Sequence, residues 1–266
     1  MKAGRILLYV FVALVLIYLI VPVIIIVPMS FSSARFLTFP PPGYSLRWYE
    51  SYLGSAAWMN ATRISLTVSF ISAAIATVIG TAAAYGLHNS TAGAVKALQA
   101  VLLLPLVTPI VIVAVGVFFV YAQAGLLATM PGLVLADVML GMPYVITAVL
   151  VGLRKFDPTQ EMVSRSLGMN RVRTFFAVTL PQIRPSVISG ALFAFICALD
   201  ETVVALFISG GENQTLTKRM FTALRDEIDP TIAAISSLLT AVSFLLVILI
   251  ALNAREGGRN GDASAR

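Results

Sequence analysis

Asp200 and Glu201 are neighbours inside the long, otherwise uncharged run Ser186–Ser209, and Asp137 lies inside another, Leu133–Leu153. An acidic side chain at the centre of a membrane helix costs about 2.5–3.5 kcal/mol, so such residues face a bundle interior or a wet pathway rather than lipid. No Lys or Arg lies in the apolar runs to neutralise them. Two readings follow. The carboxylates are structural, bonded to helix ends or to a partner subunit, or they form a cation-attracting patch in a translocation path. Uncompensated negative charge favours a positively charged solute, because opposite charge offsets desolvation. Adjacent helical residues point about 100° apart, so one acid can face the pathway while the other bonds to a neighbouring helix. Other chemistries are poorly supplied. The single His88 and single Cys197 argue against a metal site, a Cys/His nucleophile pair and an internal disulfide. An intramembrane protease would need Ser/His or paired Asp on separate spans. No Gly-rich Lys-Ser/Thr phosphate loop is present, so the chain itself is expected to hydrolyse no ATP and to be no enzyme.

The elements that carry these acids are membrane helices. The chain has 266 residues, 59% hydrophobic and only 11% charged, against about 25% charged in a soluble domain. Its mean hydropathy is +0.93. A helical span needs about 20 apolar residues. The uncharged blocks give an all-α protein with six spans, at about 6–29, 64–87, 98–122, 133–153, 186–209 and 231–252, in one permease domain over 1–252. The first block is longer than a secretory core of about 7–15 residues and contains Pro22 and Pro28, so it reads as a retained helix. Pro105, Pro109 and Pro143 fall inside spans, as packing kinks or as hinges. Ser72, Ala76, Gly80 and Ala84 form a small-residue stripe that lets helices approach closely. Trp48, Tyr49, Tyr52 and Trp58 sit where amphipathic aromatics favour the outer membrane boundary.

Basic residues set the orientation. Lys2, Arg5, Lys96, Arg154, Lys155, Arg165, Arg171, Arg173, Arg184, Arg255, Arg259 and Arg266 share one side. Arg35, Arg47, Arg63, Lys218, Arg219 and Arg225 share the other. Both termini and the loop 154–185 are therefore expected to be cytoplasmic. The net charge of +6 follows from this topology and implies no nucleic acid. The tail 253–266, rich in Gly, Asn, Asp and Ser, is expected to be disordered.

The loop 154–185 is polar and basic, yet patterned. Asp157, Pro158 and Gln160 read as a helix start, with a helix over about Pro158–Leu167 and Gly168 as its left-handed terminator. A second helix is expected over about Asn170–Leu180, stopped by Pro181, with Pro185 opening the fifth span. Met162, Val163, Phe175 and Phe176 would be exposed apolar groups rimmed by charge, the mark of a protein interface.

This loop resembles the EAA loop of ABC-importer permeases. Ser166-Leu167-Gly168 matches its glycine region, and Thr179-Leu180-Pro181 its closing Leu-Pro, with Pro185 after it. The family's Glu-Ala-Ala falls on Met162, Val163 and Ser164, with Glu161 one residue early. The resemblance implies the MetI-like type I fold, a peripheral helix followed by a five-helix core. It implies Glu161, Met162, Ser166, Leu167, Gly168, Leu180 and Pro181 as the coupling surface for a cytoplasmic ATPase dimer. ATP and magnesium would be held by that ATPase, with no cofactor on this chain. It further implies a second permease subunit, a paralogue, an extracytoplasmic binding protein and a bacterial inner membrane. Pro40–Tyr49, Ser189–Gly210 and Arg225–Ile232 resemble the corresponding segments of spermidine/putrescine permeases of the PotC type. Asp137 stands where those carry another polar residue, often His. Polyamine-like cations are thus the expected cargo, delivered through a pathway lined by Asp200, Glu201 and Asp137. Opines, amino-acid derivatives, phosphonate or ferric iron are the alternatives, and an ATP-independent carrier or channel is a further one.

Overall fold

A computed structural model describes the backbone of residues 2–90, 92–226 and 229–263, and the side chains of those between 5 and 248. Glu227 and Ile228, within the segment 225–232, lie outside the described residues, as do Ser264, Ala265 and Arg266. The helices run in the order α1 (Lys2–Ser30), α2 (Arg47–Gly54), α3 (Ala56–His88), α4 (Gly93–Leu103), α5 (Ile110–Ala124) and α6 (Met130–Lys155). They continue with α7 (Thr159–Ser166), α8 (Arg171–Thr174), α9 (Leu180–Asp200), α10 (Val203–Ile208), α11 (Leu216–Asp226) and α12 (Thr231–Ala263). Among the described residues no strand forms, only isolated bridges.

Among the described residues five helical stretches are long and apolar enough to cross a membrane, and a sixth crossing is reached if one bent pair counts as a single span. That pair is the expected third span. Gly93–Leu106 and Ile110–Ala124 meet at 101°, so 98–122 is not one helix. The cause is local: Leu104–Leu106 tightens into a 3₁₀ turn around Pro105, and Pro109 stands at the start of α5 in non-helical geometry. The two prolines remove two donors within one turn, and the helix stops instead of kinking. The fifth span departs as well. Instead of running 186–209, α9 ends at Asp200, and Glu201 takes extended geometry before α10. The sixth continues past 252, because α12 stays helical to Ala263. The segment expected to be disordered is helical that far, since extending a nucleated ladder costs little per residue.

The chain divides into two compact units, Met1–Asn60 with Arg219–Leu245 and Ala61–Lys218 with Leu246–Arg266. In the first, α1 is apolar all round and its side chains are mostly exposed, the pattern of a helix solvated by lipid. Tyr49 of α2 bonds Ser30 Oγ through its hydroxyl at 2.8 Å and sets its ring 5.1 Å from Phe31. Trp58 is buried within α3, under the Arg219 guanidinium at 4.8 Å.

The second unit is built on α6, whose Val145, Ile146, Val149 and Leu153 are almost wholly buried. Helices α3 and α9 approach it over glycines. A Cβ on Gly80 would lie 2.9 Å from the Val145 side chain, and one on Gly190 3.0 Å from the Val145 Cα. Farther along, Gly141 faces Ala194 and Gly152 faces Ser186. Gly190→Leu should therefore lose about 1–3 kcal/mol or more, since backbone cannot give way to an overpacked side chain. Gly86→Leu, with open space around it, should be near neutral. The thermal midpoints of the two variants in detergent check this.

Candidate functional site

The unit 61–218 carries both features singled out by sequence, the intramembrane acids and the basic loop. The acids converge. Asp137 on α6 is 8% exposed and lies within electrostatic reach of Glu201. The Cys197 thiol lies 3.9 Å from the Leu140 carbonyl, one turn along α6 from Asp137, and Asp200 lies one turn beyond Cys197 at the end of α9. Three carboxylates thus gather where α9 stops, beside α6.

Their roles diverge. The Glu201 carboxylate turns onto the start of α10, with one oxygen accepting the Val204 N–H and the other the Ala205 N–H, both at 2.8 Å. An anion accepting two orphan amide donors at a helix start satisfies backbone and dipole together. At the other end of α10 the Lys218 ammonium donates to the Leu206 carbonyl at 3.2 Å and to the Ser209 carbonyl. Burial holds this ammonium below its ordinary pKa. The short helix is bracketed by charges of the sign each end prefers. The chain between closes on itself. Thr217 donates to the Glu201 carbonyl at 2.6 Å, Leu216 N–H to Ser65 Oγ at 2.8 Å, and Asn213 to the Ala128 carbonyl at 2.8 Å. Phe207 meets Phe118 edge-on at 6.4 Å, where α10 packs along α5. Asp200 does none of this. Its side chain is exposed, and among the described residues its carboxylate takes no hydrogen bond.

The sequence reading missed the break at Glu201 and the parts played by Thr217 and Lys218. A signal existed: an acid followed by Thr and a β-branched pair can open a helix as well as continue one. The apolar run around it hid the break.

In the loop, α7 is opened by Asp157, whose Oδ1 accepts the Thr159 N–H at 2.9 Å. That bond holds the exposed carboxyl below the usual carboxylate range. Gln160 closes no capping box; its side chain pairs with Gln182 of α9. Gly168 adopts φ +90°, as expected of the terminator. Asn170 caps α8, accepting the Arg173 N–H at 2.8 Å. Pro181, however, stops nothing. Residues Arg171–Asp200 form one helical course, with a π turn over Phe175–Thr179 just ahead of the proline. The widened turn absorbs the missing N–H and the ring that would clash with the preceding turn. Leu180 is half-buried in this course and Pro181 exposed, while Ser166 bonds back to the Met162 carbonyl at 3.0 Å.

Met162 is 59% exposed, Leu167 80% and Phe176 62%, with Val163 and Val172 also exposed, amid exposed Arg165, Arg171 and Arg173. Phe175 is not among them, because its ring turns in against Tyr85 at 4.7 Å. Glu161 also turns in. Tyr85 donates to its two carboxylate oxygens at 3.1 and 3.2 Å, and Thr179 donates to one of them.

With this geometry in hand, likeness to known proteins is informative. Residues 76–256 match the family described as "Binding-protein-dependent transport system inner membrane component". The spermidine/putrescine transport system permease protein PotC of Haemophilus influenzae is 29% identical over 240 residues, 90% of this chain and 93% of that protein. The putrescine transport system permease protein PotI of Escherichia coli is 32% identical over 237 residues, 84% and 81% of the two chains. Among solved structures, a bacterial ABC transporter involved in the import of the acidic polysaccharide alginate aligns over 96% of each chain at TM-score 0.72 and 14% identity. The MetNI methionine ABC transporter aligns over 80% of this chain and 100% of its own at TM-score 0.54 and 19% identity. These two speak for the fold alone.

Proposed function

The chain belongs to the inner-membrane components of binding-protein-dependent transport systems, and from that premise we propose that it forms part of the membrane passage of an ATP-driven polyamine importer. The observation that carries the reading is the gathering of Asp137, Asp200 and Glu201 around the end of α9, where Cys197 meets the Leu140 carbonyl of α6, within the apolar runs 133–153 and 186–209, which hold no basic residue. Such a site is unfavourable when empty and favourable around a cation, because the cation offsets charge that burial has deprived of water. Similarity to permeases for spermidine and putrescine supports the same cargo. Within the cluster Glu201 serves α10, and Asp200, exposed at the edge of the helix break, meets the solute.

The exposed apolar face of α7–α8, with Met162, Leu167 and Phe176, is the socket for a cytoplasmic ATPase dimer, which brings its own ATP and magnesium. Both termini lie on that side, where the basic residues concentrate. A second, paralogous permease and an extracytoplasmic binding protein complete the assembly. The test is reconstitution of the chain with these partners in proteoliposomes. ATP-dependent accumulation of labelled spermidine, competed by putrescine but not by methionine, is expected. Accumulation without the ATPase, or competition by anions alone, would overturn the proposal.

A further inference from the structure

Two neighbouring residues of α7 differ in what they offer a partner. Met162 points outward, whereas Glu161 beside it has its carboxylate occupied from two sides. On one side is Tyr85 of α3, itself held by the Phe175 ring at 4.7 Å and the Arg171 guanidinium 5.7 Å from its centroid. On the other is Thr179, fully buried at the last position of the π turn. Two further polar ties flank the carboxylate. Gln160 pairs with Gln182, and Ser164 Oγ meets the buried Thr174 Oγ1 at 3.1 Å. Residues 160, 161 and 164 lie on one helical face. Helix α7 is therefore fastened along that face to the course from α8 into α9, and through Tyr85 to α3.

Resting on the docking reading above, we infer that Glu161 is a positioning residue: a carboxylate strut that locks α7 to α3 and α9 through Tyr85 and Thr179, leaving the ATPase contact to the apolar face. A carboxylate accepting hydroxyl donors holds geometry more firmly than a neutral pair does. Force applied at Met162 or Leu167 then passes into two membrane helices at once, rather than swivelling a loose helix about Gly168. An ATPase seeking Glu161 would have to displace Tyr85 and Thr179 first.

The test uses the purified permease with its ATPase in nanodiscs, comparing wild type with Tyr85→Phe, Thr179→Val, Thr179→Ser and Glu161→Gln. Amide exchange of residues 159–166 should speed up on the order of tenfold in Tyr85→Phe, Thr179→Val and Glu161→Gln, as expected for losing a charge-assisted bond. Thr179→Ser, which keeps the hydroxyl, should behave as wild type. The double variant Glu161→Gln/Tyr85→Phe should exchange no faster than the worse single, as for residues acting as a unit. The ATPase should stay bound throughout, and the same variants in proteoliposomes should move less solute per ATP. The inference is overturned if Glu161→Gln sheds the ATPase while exchange over 159–166 is unchanged. Wild-type exchange in both Tyr85→Phe and Thr179→Val would overturn it too. Failure of the wild-type permease to retain an ATPase would instead sink the docking reading, and the exchange rates of the permease alone would still decide the strut.

Discussion

Asp200→Asn should abolish polyamine uptake while the protein melts where the wild type does; Glu201→Ala should lower the melting temperature. This dissociation is the expected result because the two neighbours hold different bonds. The Asp200 carboxylate is exposed and serves no helix end, so removing its charge costs the fold little. Its attraction for a bound cation at about 4 Å is on the order of 4 kcal/mol at an effective dielectric near 20. Losing half or more of that reduces binding in the passage by at least about thirtyfold. Glu201→Ala instead strands the Val204 and Ala205 amides, at about 0.5–2 kcal/mol for a lost helix cap. The measurements are labelled-spermidine uptake in proteoliposomes and thermal unfolding in detergent. The joint variant Asp200→Asn/Glu201→Gln should also take up nothing. Wild-type uptake by it would remove the acids from the pathway.

The second large effect is expected at the socket. Leu167→Glu together with Phe176→Glu should strip the ATPase from the purified permease. Both side chains are well exposed on the isolated chain, so their replacement should leave its unfolding midpoint unchanged. In a docked complex they would be central apolar anchors, each worth about 2 kcal/mol or more, and a glutamate there must also be desolvated. Together the losses exceed about a thousandfold in affinity, enough to turn stable copurification into none. Retention of the ATPase by the double variant would move the docking surface elsewhere.

Much of this molecule was legible in its apolar blocks. The spans at 64–87 and 133–153 lie inside α3 and α6, because long uninterrupted apolar runs leave a membrane helix few alternatives. Gly168 was legible as a terminator because few other residues adopt φ +90° cheaply. The misread places share a cause. Whether Pro105 and Pro109 kink a helix or break it through 101° depends on what re-satisfies the freed carbonyls, and composition does not record that. Pro181 was read as a stop, but the neighbouring π turn accommodates it. The convergence of Asp137 with Asp200 and Glu201, and the pairing of Glu161 with Tyr85, join residues far apart in sequence. Hydropathy sees each residue's cost and not its partner. The break at Glu201 was hidden for the same reason: Thr217 and Lys218, which bond the two ends of α10, follow it by many positions.

The π turn at Phe175–Thr179 also constrains how this lineage can change length. Such a turn holds one residue more than the α-helix it interrupts. Deleting a single residue there would restore plain α-helix and rotate everything upstream by about 100° around the axis. Thr174 would swing away from Ser164 and Phe176 from the socket face, even if the residue removed were Ala177, the smallest side chain of the turn. A turn such as Gly210–Asn213 closes by local bonds and can absorb a gained or lost residue. Here an indel would act as a crank, turning the exposed face of α7 and α8 relative to the helices that carry the acids.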